Sequence, residues 1–106
     1  MISFEEFQKV ELKVAKVLSA EKVEKSNKLL KLQIDLGGET KQLVAGIAQQ
    51  YTPESIVGRE VIVVANLEPR VVFGVESQGM LLAASSAEGP VLLMPEKEVP
   101  PGSGIK

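Results

Sequence analysis

Seven residues constrain this chain more than any others: Leu30-Lys31-Leu32-Gln33-Ile34-Asp35-Leu36 alternates apolar and polar side chains without a break, then runs into Gly37-Gly38. Successive side chains of a strand point to opposite faces, so a strict period of two describes a half-buried β-strand. A glycine pair after it supplies the tight turn of a hairpin. The returning strand is expected from about Thr40 to Ala45, with Gly46 marking a bulge or a close backbone approach.

Upstream, Val10, Leu12 and Val14 alternate with Glu11 and Lys13, but the phase slips near Ala15 and Val17 leads the apolar set after it. A slip inside a long strand predicts a β-bulge or sharp bend in one strand from about Val10 to Lys22. Ser3 and Glu6 form a capping-box pair that opens a short helix through about Lys9, with Phe4 and Phe7 on one face to plug an end of the core. Thr52-Pro53-Glu54 reads as N-cap, first helical residue and acidic first turn, and Gly58 as the stop, giving a helix from about Pro53 to Val57. Strands at about Glu60–Asn66 and Gly79–Ser85 flank a polar loop, and Val91–Met94 forms a last short strand after a turn at Ser86–Pro90. Three strands, a helix, then two strands is the order of the OB-fold. The expectation is an all-β chain: one domain over residues 1–106, a five-stranded Greek-key barrel with short helices and a C-terminal extension.

The chain has no cysteine and no histidine, which removes disulfides, Cys/His zinc sites and the usual nucleophilic and imidazole chemistries. It has no phosphate-gripping GxxxxGK motif, and no carboxylate pair is marked out for acid–base work. A non-enzyme without cofactor or metal is expected. No run reaches the ~18 apolar residues of a membrane span, and the N-terminus has no charged-then-apolar export signal, so a cytoplasmic chain without membrane contact is expected. The net charge of −2 hides an asymmetry: seven lysines and three acids from Lys9 to Lys31 (7 − 3 = +4), against four bases and seven acids over residues 54–106 (4 − 7 = −3). One face can be positive on a slightly acidic molecule.

OB-folds bind oligomers over the second and third strands and the adjoining loops. Here those strands carry Lys31, Gln33, Lys41 and Gln42, with Lys25, Ser26, Asn27 and Lys28 in the neighbouring loop. A second polar loop runs through Asn66-Leu67-Glu68-Pro69-Arg70 and Gly74-Val75-Glu76-Ser77-Gln78-Gly79-Met80. Cations engage phosphates, while Asn, Gln and Ser can read base edges or 2′-hydroxyls. The plainer alternative is solvated lysines and an ordinary hairpin loop. Of four aromatics, Phe4, Phe7 and Phe73 read as core or plug residues; Tyr51 is the one candidate for an exposed ring, with packing against the helix start the favoured reading. That is too few rings for a stacking platform along single strands, and recognition of a folded RNA by shape and backbone fits better.

Laid out this way, the chain resembles the tRNA-binding domain family, which includes the C-terminal domain or separate β-subunit of methionyl-tRNA synthetases and free-standing, structure-specific tRNA-binding relatives. The resemblance runs from Phe7-Gln8-Lys9-Val10-Glu11-Leu12-Lys13-Val14 to Pro101-Gly102. It is carried by Ser26-Asn27-Lys28-Leu29-Leu30-Lys31-Leu32, Val44-Ala45-Gly46-Ile47-Ala48, Ala65-Asn66-Leu67-Glu68-Pro69-Arg70 and Ser77-Gln78-Gly79-Met80. It implies non-catalytic binding of the tRNA body, alone or with a methionyl-tRNA synthetase catalytic subunit, and a homodimer built with the C-terminal extension. It also implies Lys28, Lys31, Lys41, Asn66, Arg70, Ser77, Gln78 and Met80 as contacts. Relatives often carry a His-Pro pair before the second strand; Val23-Glu24-Lys25 stands here instead, as in the methionyl-synthetase branch. The alternative function on the same fold is a dimeric export-related chaperone that holds unfolded polypeptide. For the dimer, the edge of the fourth strand (Val61 to Ala65) and the apolar tail (Val91, Leu92, Leu93, Val99, Ile105) are candidate surfaces, with barrel core as the other reading.

Overall fold

In the computed structural model, which describes residues 1–106, the alternating segment is strand β2 (Leu30–Asp35). Elements numbered before and after it in chain order are α1 (Phe4–Gln8), β1 (Leu12–Lys22), β3 (Thr40–Ala45), α2 (Pro53–Ile56), β4 (Glu60–Val64), β5 (Arg70–Val72), β6 (Val75–Ser77), β7 (Met80–Leu81), β8 (Ala83–Ser86) and β9 (Gly89–Leu92). Leu30, Leu32 and Ile34 of β2 are fully buried, and Lys31, Gln33 and Asp35 are half-exposed. β2 pairs antiparallel with β3 across the Gly37-Gly38 turn, from Asp35↔Thr40 to Leu30↔Ala45.

β1 is the long bent strand that serves two partners. Its first half pairs with β4 (Leu12↔Val64 to Lys16↔Glu60) and its second half with β2 (Lys16↔Asp35 to Lys22↔Leu30). The register shifts between Val17 and Ser19, so the slip in the sequence pattern is a bulge. The main sheet runs β3-β2-β1-β4-β7 and curls into a nearly closed antiparallel barrel, the expected OB-fold. Its interior is aliphatic: Ala15, Val17, Leu30, Leu32, Ile34, Leu43, Ile47, Val61 and Val63, with Ile56 of α2 among them. Burying a large aliphatic side chain is worth about 1.5–3 kcal/mol, which makes this cluster the main source of stability.

Several local expectations are corrected. Ser3 and Glu6 do form the capping box, but α1 buries nothing: Phe4 is 72% and Phe7 37% exposed. The helical residue in the core is Ile56, held by a second reciprocal cap between Thr52 and Ser55. β4 is no edge, since it lies between β1 and β7 with all five residues buried, and it offers no dimer surface. Gly46 permits no close approach; nothing lies within 4 Å of where its Cβ would stand. The segment from Gly79 is two strands rather than one, because β7 leaves β4 after Leu81 and β8 pairs with β9. The last strand falls at Gly89–Leu92, not Val91–Met94.

The polar loop after β4 is itself a hairpin, β5 paired with β6 around a two-residue turn, Phe73-Gly74. Both turn residues have positive φ (50° and 78°), the conformation of turns that match strand twist and favour Asn-Gly. A bulky residue there is an outlier that costs on the order of 1–3 kcal/mol. Finally, the C-terminal tail lies along the free edge of β1: Gly102 N–H donates to Val14 O (2.7 Å), Val14 N–H to Ser103 O (2.9 Å) and Ile105 N–H to Leu12 O (2.9 Å). Glu60 anchors it, accepting from Val99 N–H at 2.8 Å.

Candidate nucleic-acid interface

The barrel is open between β3 and β7, and side chains close it there. Ser77 Oγ accepts from Val44 N–H of β3 (3.0 Å) and donates to Gly79 O (3.1 Å). Gln78 binds the main chain of Gln42, and Gln42 Nε2 reaches Glu76 O (2.8 Å) while its Oε1 accepts from Gln33 Nε2 (2.9 Å). Gly79 threads the seam: a Cβ on it would lie 2.8 Å from Val64 O and 3.0 Å from a Leu43 methyl, so only glycine passes without displacement.

The eight sequence-predicted residues therefore divide. Ser77, 1% exposed, and Gln78 are occupied as joints of the barrel, and Ser77 presents no free surface to a ligand. Asn66 clasps the approach to β1, its Oδ1 accepting from Glu11 N–H (2.9 Å) and its Nδ2 donating to Lys9 O (2.7 Å). Lys41 Nζ is half-buried, donates to Ala65 O (2.7 Å) and lies 3.9 Å from Glu39. Lys31 stands opposite Glu21 in the β1–β2 ladder and pairs with it.

Lys28, Arg70 and Met80 remain available; Arg70 and Met80 share one groove, and Lys28 stands on a turn bonded to the segment that lines it. Lys28 O accepts from Ala48 N–H (3.0 Å), which seats the Lys28 turn on the segment Gly46-Ile47-Ala48. Gly46 and Ile47, with Val44, Ala45, Leu81, Ala83 and Pro90, line a groove of about 230 Å³ whose rim includes Arg70 and Met80. Arg70 and Met80 border a second hollow of about 360 Å³ with Leu67, Glu68 and Gly79. Neither Lys28 nor Arg70 has an acidic group within ion-pair distance. Arg70 on the rim offers phosphate-binding charge beside a surface for a sugar or base face, and Lys28 is a second free cation on the turn bonded to Ala48.

Comparison with known proteins decides the class. Residues 12–104 match the model of the family described as "Putative tRNA binding domain". The chain belongs to the tRNA-binding domain family. It is 58% identical over its whole length to part of a methionine–tRNA ligase from Methanoregula boonei, and 55% identical over 98% of its length to one from Archaeoglobus fulgidus. The chain spans 16% of each of those ligases. Among solved structures, it is similar throughout to a MetRS related protein from Pyrococcus horikoshii (TM-score 0.93, 41% identity, 98% of that chain covered). It is likewise similar to the chaperone CsaA from Bacillus anthracis (TM-score 0.91, 33% identity, 99% of that chain covered).

In this tRNA-binding domain Tyr51 is packed rather than exposed, as the sequence favours, while the three phenylalanines depart from the sequence reading. Tyr51 is half-buried against the core, its hydroxyl accepting from Leu92 N–H (3.1 Å) and its ring 5.8 Å from the Arg59 guanidinium. The exposed rings are Phe4, Phe7 and Phe73, the last 68% exposed at the β5–β6 turn. Sequence reasoning missed Phe73 because an isolated Phe among valines reads as core. The usable signal was its place before Gly74, the first position of a two-residue turn.

Proposed function

We propose that this domain is non-catalytic and holds folded tRNA by its backbone and shape. Lys28 and Arg70 meet phosphates, and Met80 lies against a ribose or base over the Gly46-Ile47 groove. Lys31 contributes a weaker contact because Glu21 competes for it, and Lys41, Asn66, Ser77 and Gln78 support the surface that carries the others. The observation that carries this reading is an Arg70 guanidinium without an acidic partner on the rim of the Val44–Ile47 groove, beside Met80, in a chain of net charge −2. In relatives that are methionine–tRNA ligases, a segment like this is a small part of the whole; by extension this domain raises the tRNA affinity of a ligase catalytic region, in the same chain or as a partner.

A homodimer completes the proposal. Phe4, Phe7, Val10 and Ile105, with Gln8 and Lys106, surround an apolar hollow of about 440 Å³ at one end, where α1 meets the tail. Two copies joined there would bury Phe4 and Phe7 and double the cationic surface offered to one tRNA. The reading is tested by the affinity of the chain for unfractionated folded tRNA over a salt series, with single-stranded RNA of equal length as control. Preference for tRNA with a negative log–log slope supports it, and equal or absent binding to both rejects it. Similarity to the chaperone CsaA favours one second reading, an unfolded-polypeptide holder, which the same experiment would then make the next to examine.

A further inference from the structure

Phe73 breaks a local rule with no gain to the fold. It occupies a positive-φ turn position (50°) where Asn, Asp or Gly sits without strain, yet 68% of it is exposed, so little burial offsets the strain. Val71 on the same hairpin is 70% exposed. Violations of local preference that bring no packing collect at functional sites. The hairpin's location says which function. It fills the connection between β4 and β7, one of the loops that flank the ligand face of an OB-fold, and β6 is held to β3 through Ser77, Gln78 and Gln42. The tip therefore has a fixed base. Arg70 opens the same hairpin, three residues before Phe73 and free of any acidic partner. Val75, beyond the turn, shares a hollow with Lys22 and Lys31, whose charges are balanced there by Glu21 and Glu24. An exposed aromatic tip on a hairpin whose foot carries a free guanidinium suits an unpaired base with a phosphate held further along the RNA.

We propose that Phe73 stacks on an unpaired nucleobase of the bound RNA, making the β5–β6 hairpin a base-stacking finger that extends from the Arg70 groove. This rests on the tRNA-binding reading above and adds to it a preference for RNA with exposed bases over continuous duplex. Stacking uses the face common to all bases, so the contact is tolerant of sequence.

The chain has no tryptophan, so F73W places the one tryptophan at the tip, where it can be excited selectively over Tyr51. Unfractionated tRNA should quench it along the same isotherm as filter binding, while a blunt RNA duplex without unpaired bases should leave it unchanged. F73N relaxes the turn, because Asn is favoured there, and removes the ring. It should lower tRNA affinity about 5- to 100-fold with the salt slope unchanged, because stacking releases no counterions, while F73W stays within about 3-fold of the parent. Parent-like affinity in F73N, or a tryptophan silent under saturating tRNA or quenched equally by duplex, overturns the stacking proposal and leaves tRNA binding standing. A tryptophan that responds to a reduced, carboxymethylated unfolded protein but not to tRNA overturns it in favour of a protein partner. Absence of tRNA binding by the parent chain removes both readings.

Discussion

Gln78 meets Gln42 twice: its backbone N–H donates to the Gln42 carbonyl at 2.7 Å, and its side-chain Oε1 accepts from the Gln42 N–H at 2.9 Å. A side chain here does what a neighbouring strand does elsewhere in the barrel. β3 is the terminal strand of the sheet, and its N–H groups at Gln42 and Val44, which no neighbouring strand pairs, find acceptors in Gln78 and Ser77. The polar segment that resembles a ligand contact in sequence is thus the closure of the scaffold that holds Arg70 and Met80 in place.

Ser77→Ala separates the two roles. It leaves Val44 N–H and Gly79 O without partners in a buried site, and an unsatisfied buried group costs about 1–3 kcal/mol. Urea denaturation should show a loss of that size, and tRNA affinity measured well below the transition should not change. A stable variant with weakened binding would return Ser77 to the contact surface.

Gly79→Ala tests the same seam by volume. The added methyl meets the Val64 carbonyl and Leu43 at distances that something must yield to, and overpacking of this kind costs about 1–3 kcal/mol. The expected readout is a lower urea midpoint, with weaker tRNA binding if Met80, the next residue, is displaced. An unchanged midpoint would mean that the seam is looser than its distances indicate.

Asn66→Ala should be milder. Its amide bridges Lys9 O and Glu11 N–H at an exposed position, where water can replace the lost partners, so about 0.5–1.5 kcal/mol is expected. Amide exchange at Glu11 should accelerate more than exchange in β2. A large fall in tRNA affinity with unchanged exchange would make Asn66 a ligand contact instead.

The barrel was legible because its signals are local. Period-two runs in β2, the phase slip in β1 and the caps at Ser3 and Thr52 each follow from a few adjacent residues. What failed was non-local. Phe4 and Phe7 lie on one helix face, but whether that face meets a core depends on where α1 docks, and the helical residue that reaches the core is Ile56 of α2. The candidate site divided for the same reason. Composition shows that Lys28 and Lys41 are cations, but only the fold reveals that Lys41 is spent on Ala65 O, 24 residues away.

Lys28 and Lys31 differ in that respect, and salt dependence should separate them. Each phosphate neutralised contributes roughly 0.7–0.9 to the slope of log affinity against log salt. Lys28 has no acidic partner, so Lys28→Ala should reduce the slope by about that amount. Lys31 is paired with Glu21, and RNA must compete for it; exposed pairs are weak, roughly 0–1 kcal/mol, so Lys31→Ala should remove a smaller increment. Glu21→Gln should then strengthen binding by freeing Lys31. Arg70→Ala should weaken binding by at least about 1 kcal/mol, the lower range for a charge-assisted contact. If Lys28→Ala and Arg70→Ala both leave slope and affinity unchanged in filter-binding titrations, the cationic surface around Gly46-Ile47 is not where the RNA lies.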